Sequence, residues 1–103
     1  MYIQYVGFNV ATSSRIYNFA VIDTKETREF TVKVQSTAFR PAGLRLQDGP
    51  GICFARLKQE LQGETPEARV EANLSIGEQY IQEYLEQSYP AQAVIRRRSG
   101  AEP

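Results

Sequence analysis

The residues that could do chemistry in this chain are few, because it contains no histidine and only one cysteine, Cys53. Without histidine the chain lacks the usual base for serine and cysteine nucleophiles, the commonest zinc ligand and the side chain that titrates near neutral pH. A single cysteine forms no disulfide within the chain and no four-cysteine metal site. We therefore expect a protein that is not an enzyme and that uses no metal and no cofactor.

Cys53 is the strongest candidate for reactivity that remains. It lies near the start of a predicted helix, where the helix dipole lowers the pKa of a thiol. However, it shares the helical spacing of the apolar residues Leu57 and Leu61. Free cysteines are among the most frequently buried residues, so the favoured interpretation is a buried core cysteine.

The segment Asp48–Gly51 could bind an anion, because backbone N–H groups at a helix start attract phosphate and carboxylate. Arg40, Arg45 and Arg56 are close to it in sequence. Against this interpretation, Pro50 has no N–H group, and the carboxylate of Asp48 would occupy the helix cap itself. An ordinary helix start is favoured.

A second basic cluster lies near the end of the chain, where Arg96, Arg97 and Arg98 are adjacent. Together with Arg40 and Arg45 they define an alternative function, an anion- or nucleic-acid-binding domain in which sheet aromatics stack on bases. The formal net charge of zero and a glutamate-rich stretch from residue 60 to 86 disfavour a polyanionic partner. Pairing with glutamates of the same domain or a neighbour is favoured.

Length and composition predict one globular domain. The chain has 103 residues, of which 42% are hydrophobic and 11% aromatic, within the range of a single core. We assign residues 1–98 to this domain and 99–103 to a flexible C-terminal tail. The chain shows neither a signal peptide nor an apolar run long enough for a membrane helix, so we expect a soluble protein of the reducing cytoplasm with no membrane partner.

The first third of the chain is predicted to form three antiparallel strands. Residues 2–10 and 16–22 are apolar on both alternating faces and are separated by a polar break of hairpin length at 11–15. This pattern suits central strands, or strands with one covered face and one contact surface. Residues 29–35 alternate strictly, with Lys33 of the kind that protects an edge strand.

Two amphipathic helices are expected to follow. The first begins after Asp48 and ends before Gly63, which is placed to be the glycine that follows a helix. The second follows a capping box at Ser75–Glu78 and ends near Ser88. Residues 66–74 fit either a strand or a helix, the strand slightly better, and residues 93–96 could add a last short strand.

The sequence therefore predicts an α+β fold of order β-β-β-α-(β)-α-β, with an antiparallel sheet of three to five strands and two helices packed on one face. A single layer of two helices would leave apolar sheet surface uncovered, and such surface usually marks a contact site. The leading hypothesis is a self-associating or protein-binding module whose contact surface uses four sheet aromatics: Tyr2, Tyr5, Tyr17 and Phe19.

Overall fold

The sheet is built on the antiparallel meander that the sequence predicts. The computed structural model describes residues 1–41 and 43–88 of the chain. Its first three strands are β1 (Tyr2–Val10), β2 (Ser14–Ile22) and β3 (Thr27–Gln35). Tight turns connect them, closed by backbone hydrogen bonds from Ala11 to Ser14 and from Asp23 to Glu26. Short polar connections between alternating apolar runs favour this arrangement.

A fourth strand makes the sheet mixed rather than antiparallel. Strand β4 (Asn73–Ser75) pairs parallel to β3, and the strand order is β1-β2-β3-β4. Two backbone hydrogen bonds flank this pairing, Thr31 N–H to Ala72 and Ile76 N–H to Lys33. The expectation of an edge at Lys33 is therefore wrong, since β3 lies between β2 and β4.

Two helices follow the meander and cover one face of the sheet. Helix α1 (Gly49–Gln62) provides the crossover from β3 to its parallel neighbour, which such a pairing requires. Helix α2 spans Glu78–Ser88, and Ser88 is the last residue that the structure describes. Two short 3-10 turns precede α1, and β4 precedes α2, which confirms the α+β fold and the element order as far as α2. The expected last strand at 93–96 lies outside the described residues.

The core lies between the sheet and the helices. Alternate residues of β2 and β3 point into it, because every second side chain of a strand shares one face. The buried apolar residues from the three central elements are Tyr17, Phe19, Val21, Phe30, Val32, Val34, Ile52, Cys53, Leu57 and Leu61. We call this covered face of the sheet the inner face and the opposite one the outer face.

The ends of α1 differ from the predicted caps. The carboxylate of Asp48 makes no capping bond to α1 and instead accepts a hydrogen bond of 3.0 Å from the N–H of Arg45. Gly63 does follow the helix, but with φ of −92° rather than a left-handed conformation. Helix α1 therefore starts directly from the preceding 3-10 turn, which takes the place of the cap.

A charged pair fixes the connection between α1 and β4. Arg28 on β3 donates two hydrogen bonds to Glu64, of 2.9 and 2.7 Å, and Glu64 also accepts one of 2.8 Å from the N–H of Val70. The guanidinium of Arg28 lies 4.8 Å from the ring centre of Phe30. Both charged side chains are about four-fifths buried. Residues 63–72 are thereby held against the sheet without regular secondary structure.

We expect Glu64→Gln to lower the free energy of unfolding by about 1–2 kcal/mol at neutral pH, because it breaks this two-point charged contact. The hydrogen bonds from Arg28 lower the pKa of Glu64 from 4.5 to about 2. A carboxyl group whose pKa is lowered by folding stabilises the fold when the pH is above its ordinary pKa. This stabilisation is lost as the pH falls towards the pKa of the folded state. In urea titrations the gap between wild type and variant should therefore close as the pH falls from 4.5 towards 2.

The matched control is Glu26→Gln. Glu26 pairs with Arg69 at 2.6 Å, but both side chains are about half exposed, and such pairs contribute about 0.5 kcal/mol or less. A Glu26 variant as destabilised as the Glu64 variant would contradict the structural role of the Arg28 pair.

Candidate functional site

The exposed apolar side chains of the described residues concentrate on β1. Nine large apolar residues are exposed among all the described residues, and six of them belong to the first ten residues of the chain. Those six are Met1, Tyr2, Tyr5, Val6, Phe8 and Val10. Scattered exposed apolar residues are ordinary on a protein surface, whereas a concentration on one element marks a contact site.

Strand β1 is also an open edge of the sheet. Within the described residues it pairs with β2 alone, so the backbone groups on its other side have no strand partner. It is nine residues long and carries no charged side chain. Long, apolar, uncharged edges are templates for a further strand, and proteins usually shorten or charge them. We call this free side of β1 the β1 edge.

On the inner face of the sheet, the aromatic side chains of β1 extend the aromatic core to the surface. Tyr5 lies opposite Phe19, and Phe8 lies opposite Tyr17. The corresponding ring centres are 5.5 and 5.8 Å apart, with tilted planes typical of attractive aromatic pairs. The rings of β2 are buried, while Tyr5 is 39% and Phe8 48% exposed. An added strand would therefore complete a half-built apolar layer.

Two of the four residues predicted to form the contact surface are exposed, and two are not. Tyr2 and Tyr5 are exposed on β1, but Tyr17 and Phe19 are each only 1% exposed and belong to the core. The prediction is wrong for these two because β2 lies between two strands and beneath the helices. Phe8 takes their place on the exposed surface, together with Val6 and Val10, which were not among the predicted contact residues.

A β-bulge sets the face of each residue in β1. The register with β2 shifts between Tyr5 and Gly7, which leaves Val6 as the extra residue. Gly7 has φ of +154°, a conformation that side-chain-bearing residues rarely adopt. The bulge places Tyr5 and Phe8 on the same face although they are three residues apart. An isolated glycine within a strand pattern is the sequence signal for such a bulge.

One positive charge lies beside the aromatic edge. The guanidinium of Arg15, on β2, lies 4.9 Å from the ring centre of Phe8 and 5.6 Å from that of Phe39. Both distances suit cation–π contacts. Arg15 therefore gives the inner face next to β1 a fixed cationic neighbour.

The described structure does not bring the arginines of the alternative anion site together. The side chain of Arg40 pairs with Glu78 at 3.4 Å, and both are largely exposed. The backbone of Arg45 binds the carboxylate of Asp48. Arg96, Arg97 and Arg98 lie outside the described residues. A carboxylate held at the start of α1 disfavours an anion there.

Cys53 lies in the core, as its spacing predicts. It is fully buried on α1, and burial raises the pKa of its thiol from 9 to about 12. Because the thiolate is the reactive form, the folded protein holds this cysteine unreactive near neutral pH. Within residues 1–41 and 43–88, acidic residues and Cys53 nowhere form a group of three that could hold a metal ion.

We expect native Cys53 to react with a thiol reagent about 100-fold or more slowly than in the unfolded chain at pH 8, because labelling requires the core to open. Stopped-flow labelling with and without guanidinium measures this ratio. Equal rates would contradict the buried position.

A groove of about 450 Å³ lies between the end of α1 and the connection to β4. Its main charged side chains already have partners, since Arg56 pairs with Glu60 at 2.7 Å and Glu64 with Arg28. Arg56 also donates a hydrogen bond to the carbonyl oxygen of Ser75. The charged side chains of the groove are therefore occupied by contacts within the protein, and the β1 edge is the stronger candidate site.

Comparison with protein-family models, with curated proteins and with solved structures found no match to this chain. Neither helix in the described part of the chain combines the length and the apolar character that crossing a membrane requires.

Proposed function

We propose that this protein is a non-enzymatic interaction module that self-associates by pairing its β1 edge with that of a second copy. The observation that carries the proposal is the combination of an unpaired, uncharged nine-residue strand with the largest concentration of exposed apolar side chains in the described residues. Backbone hydrogen bonds would supply affinity, and the side chains would supply specificity. The single cysteine suits a module of the reducing cytoplasm.

The two edges of the sheet support the choice of β1. Strand β4 forms the opposite edge but has only three residues, and a very short edge strand is a common protection against unwanted pairing. Strand β1 has neither that protection nor an edge charge. The sheet is therefore expected to pair through β1, the edge that lacks this protection.

The absence of charge also supports a second copy as the partner. When two identical strands pair about a twofold axis, a charge near the axis lies close to the same charge of the other copy, which is unfavourable. Strand β1 brings none, and its polar residues Gln4, Asn9 and the hydroxyl-bearing tyrosines are neutral. A symmetric dimer uses the same patch on both subunits, so one open edge is sufficient.

Sedimentation equilibrium of the untagged chain over low to high micromolar concentration tests the proposal. The weight-average mass should rise with concentration and level off at twice the mass of the chain. A mass that stays at one chain over the whole range would overturn self-association. Nucleic acid or another mass carried through purification, with no dimer, would overturn it in favour of the basic-cluster hypothesis.

A further inference from the structure

The hydrogen-bonding pattern of the first hairpin identifies which residues face the β1 edge. The N–H of Ala11 donates to Ser14 at 2.8 Å, so the backbone of Ser14 faces β1. Because backbone groups alternate along an antiparallel strand, every second residue from Ser14 to Ile22 faces β1 as well. Their partners in the register are Asn9, Gly7, Gln4 and Tyr2.

The remaining paired residues of β1 present their N–H and C=O groups to the free side. These are Ile3, Tyr5, Phe8 and Val10. Without the bulge the spacing would be two residues throughout, but the extra Val6 makes the central step three. The four positions are therefore symmetric about the midpoint between Val6 and Gly7.

From this symmetry we propose a specific dimer, which rests on the function proposed above. Two β1 strands pair antiparallel about a twofold axis at Val6 and Gly7. Ile3 then lies opposite Val10 of the second copy, and Tyr5 lies opposite Phe8 of the second copy. This register uses all four free-facing positions of each strand. Registers centred within residues 3–5 or 8–10 use only two.

The side chains fit the same register. Ile3, Tyr5, Phe8 and Val10 lie opposite Val21, Phe19, Tyr17 and Arg15. Directly opposed residues share one face of a sheet, so all four side chains are on the inner face. Tyr5 of one copy meets Phe8 of the other, and Ile3 meets Val10. Each half-exposed aromatic ring gains an aromatic neighbour across the axis.

The axis also determines the shape of the dimer. A twofold axis between antiparallel strands is perpendicular to the sheet, so both copies keep their helices on the same side. The product is a continuous eight-stranded sheet with order β4-β3-β2-β1-β1-β2-β3-β4 and the helices of both copies above one face. The β1 edges of both copies are paired with each other in this dimer. The outer edges are the short β4 strands, which limits assembly to two copies.

Disulfide trapping with two single-site variants tests the register. Opposed, hydrogen-bonded residues of antiparallel strands have Cα atoms about 5.5 Å apart, within the range that a disulfide spans. We expect a mixture of Tyr5→Cys and Phe8→Cys proteins, carrying different tags, to form a cross-linked heterodimer when oxidised with diamide. Each variant alone should remain uncross-linked, because identical residues lie three positions, about 10 Å, apart along the strands. Cys53 is buried in both and does not compete.

A second pair of variants, Ile3→Cys and Val10→Cys, tests the same register while keeping both aromatic rings, and so controls for any effect of removing a ring. Thermal unfolding of each reduced variant confirms that it is folded. Efficient cross-linking of either variant with itself would show a different register and overturn this proposal while leaving self-association intact. Absence of a cross-link in both mixtures, while the wild type is dimeric, would also overturn it. A monomeric wild type would overturn the proposed function itself.

Discussion

Gly49→Ala should destabilise the fold by about 3 kcal/mol or more, near the upper end of what overpacking a core costs. A Cβ atom at Gly49 would overlap the hydroxyl group and the ring of Tyr17, with Cε1 only 2.9 Å away. Both residues are buried, and Tyr17 is held between two strands beneath α1. The clash should outweigh the gain of about 1 kcal/mol that alanine brings to a helix. Urea unfolding of both proteins measures the difference.

Gly51→Ala is the matched control, because it makes the same change two residues further into α1. A Cβ at Gly51 would meet only the hydroxyl of Tyr84, at 2.8 Å. That atom is the far end of a partly buried, flexible side chain that can swing aside. We expect this variant to be as stable as the wild type or more stable.

A double-mutant cycle assigns the effect of Gly49→Ala to its cause. Tyr17→Leu removes the ring that the new Cβ would strike, so the loss in the double variant should be smaller than the sum of the two single losses. If the two effects simply add, or if Gly49→Ala and Gly51→Ala are equally tolerated, the close approach of Tyr17 to α1 is not what requires glycine.

The second large effect is expected at the dimer interface. Phe8→Glu should raise the dissociation constant of the dimer about 100-fold or more, because the carboxylate would be desolvated against Tyr5 of the second copy. The fold of the single chain should survive, since Arg15 lies over this position and can pair with the new carboxylate. Sedimentation equilibrium measures the dissociation constant, and circular dichroism checks the fold.

Gln4→Glu places the same charge on the same strand but on the outer face. In the proposed register residue 4 lies opposite Asn9 of the second copy, at a polar and open position. We expect its dissociation constant to stay within about threefold of the wild type, since exposed charges contribute little. Equal weakening by both variants would indicate a general charge effect and contradict an interface through the inner face.

The local parts of the fold are predictable from the sequence. Alternating apolar residues with polar breaks of hairpin length define the meander, because each signal lies within a few residues of the structure it sets. The stripe from Cys53 to Leu61 likewise defines α1. Strand β4 is different, since three residues carry little pattern and its parallel partner Val32 is 42 positions from Leu74. That pairing depends on a crossover that no local pattern encodes.

The candidate site was only half predictable for a related reason. Tyr5 and Phe19 look equivalent in sequence, as aromatic residues in strands that are apolar on both faces. Their burial differs because one strand is at the edge of the sheet and the other is central, which is a property of strand order. The bulge at Gly7 then changes which residues share the face of Tyr5. The glycine is visible in the sequence, but strict alternation places Phe8 on the same face as Tyr2 and Val6 instead.

Residue-resolved amide hydrogen exchange tests pairing through the β1 edge most directly. The N–H groups of Tyr5 and Phe8 face the free side, whereas those of Gln4 and Asn9 face β2. We expect the amides of Tyr5 and Phe8 to exchange rapidly in dilute protein and to become protected as the concentration rises, while those of Gln4 and Asn9 are protected throughout. Rapid exchange of Tyr5 and Phe8 at every concentration would contradict pairing through the β1 edge. So would protection in dilute protein, which would show an edge already covered within one chain.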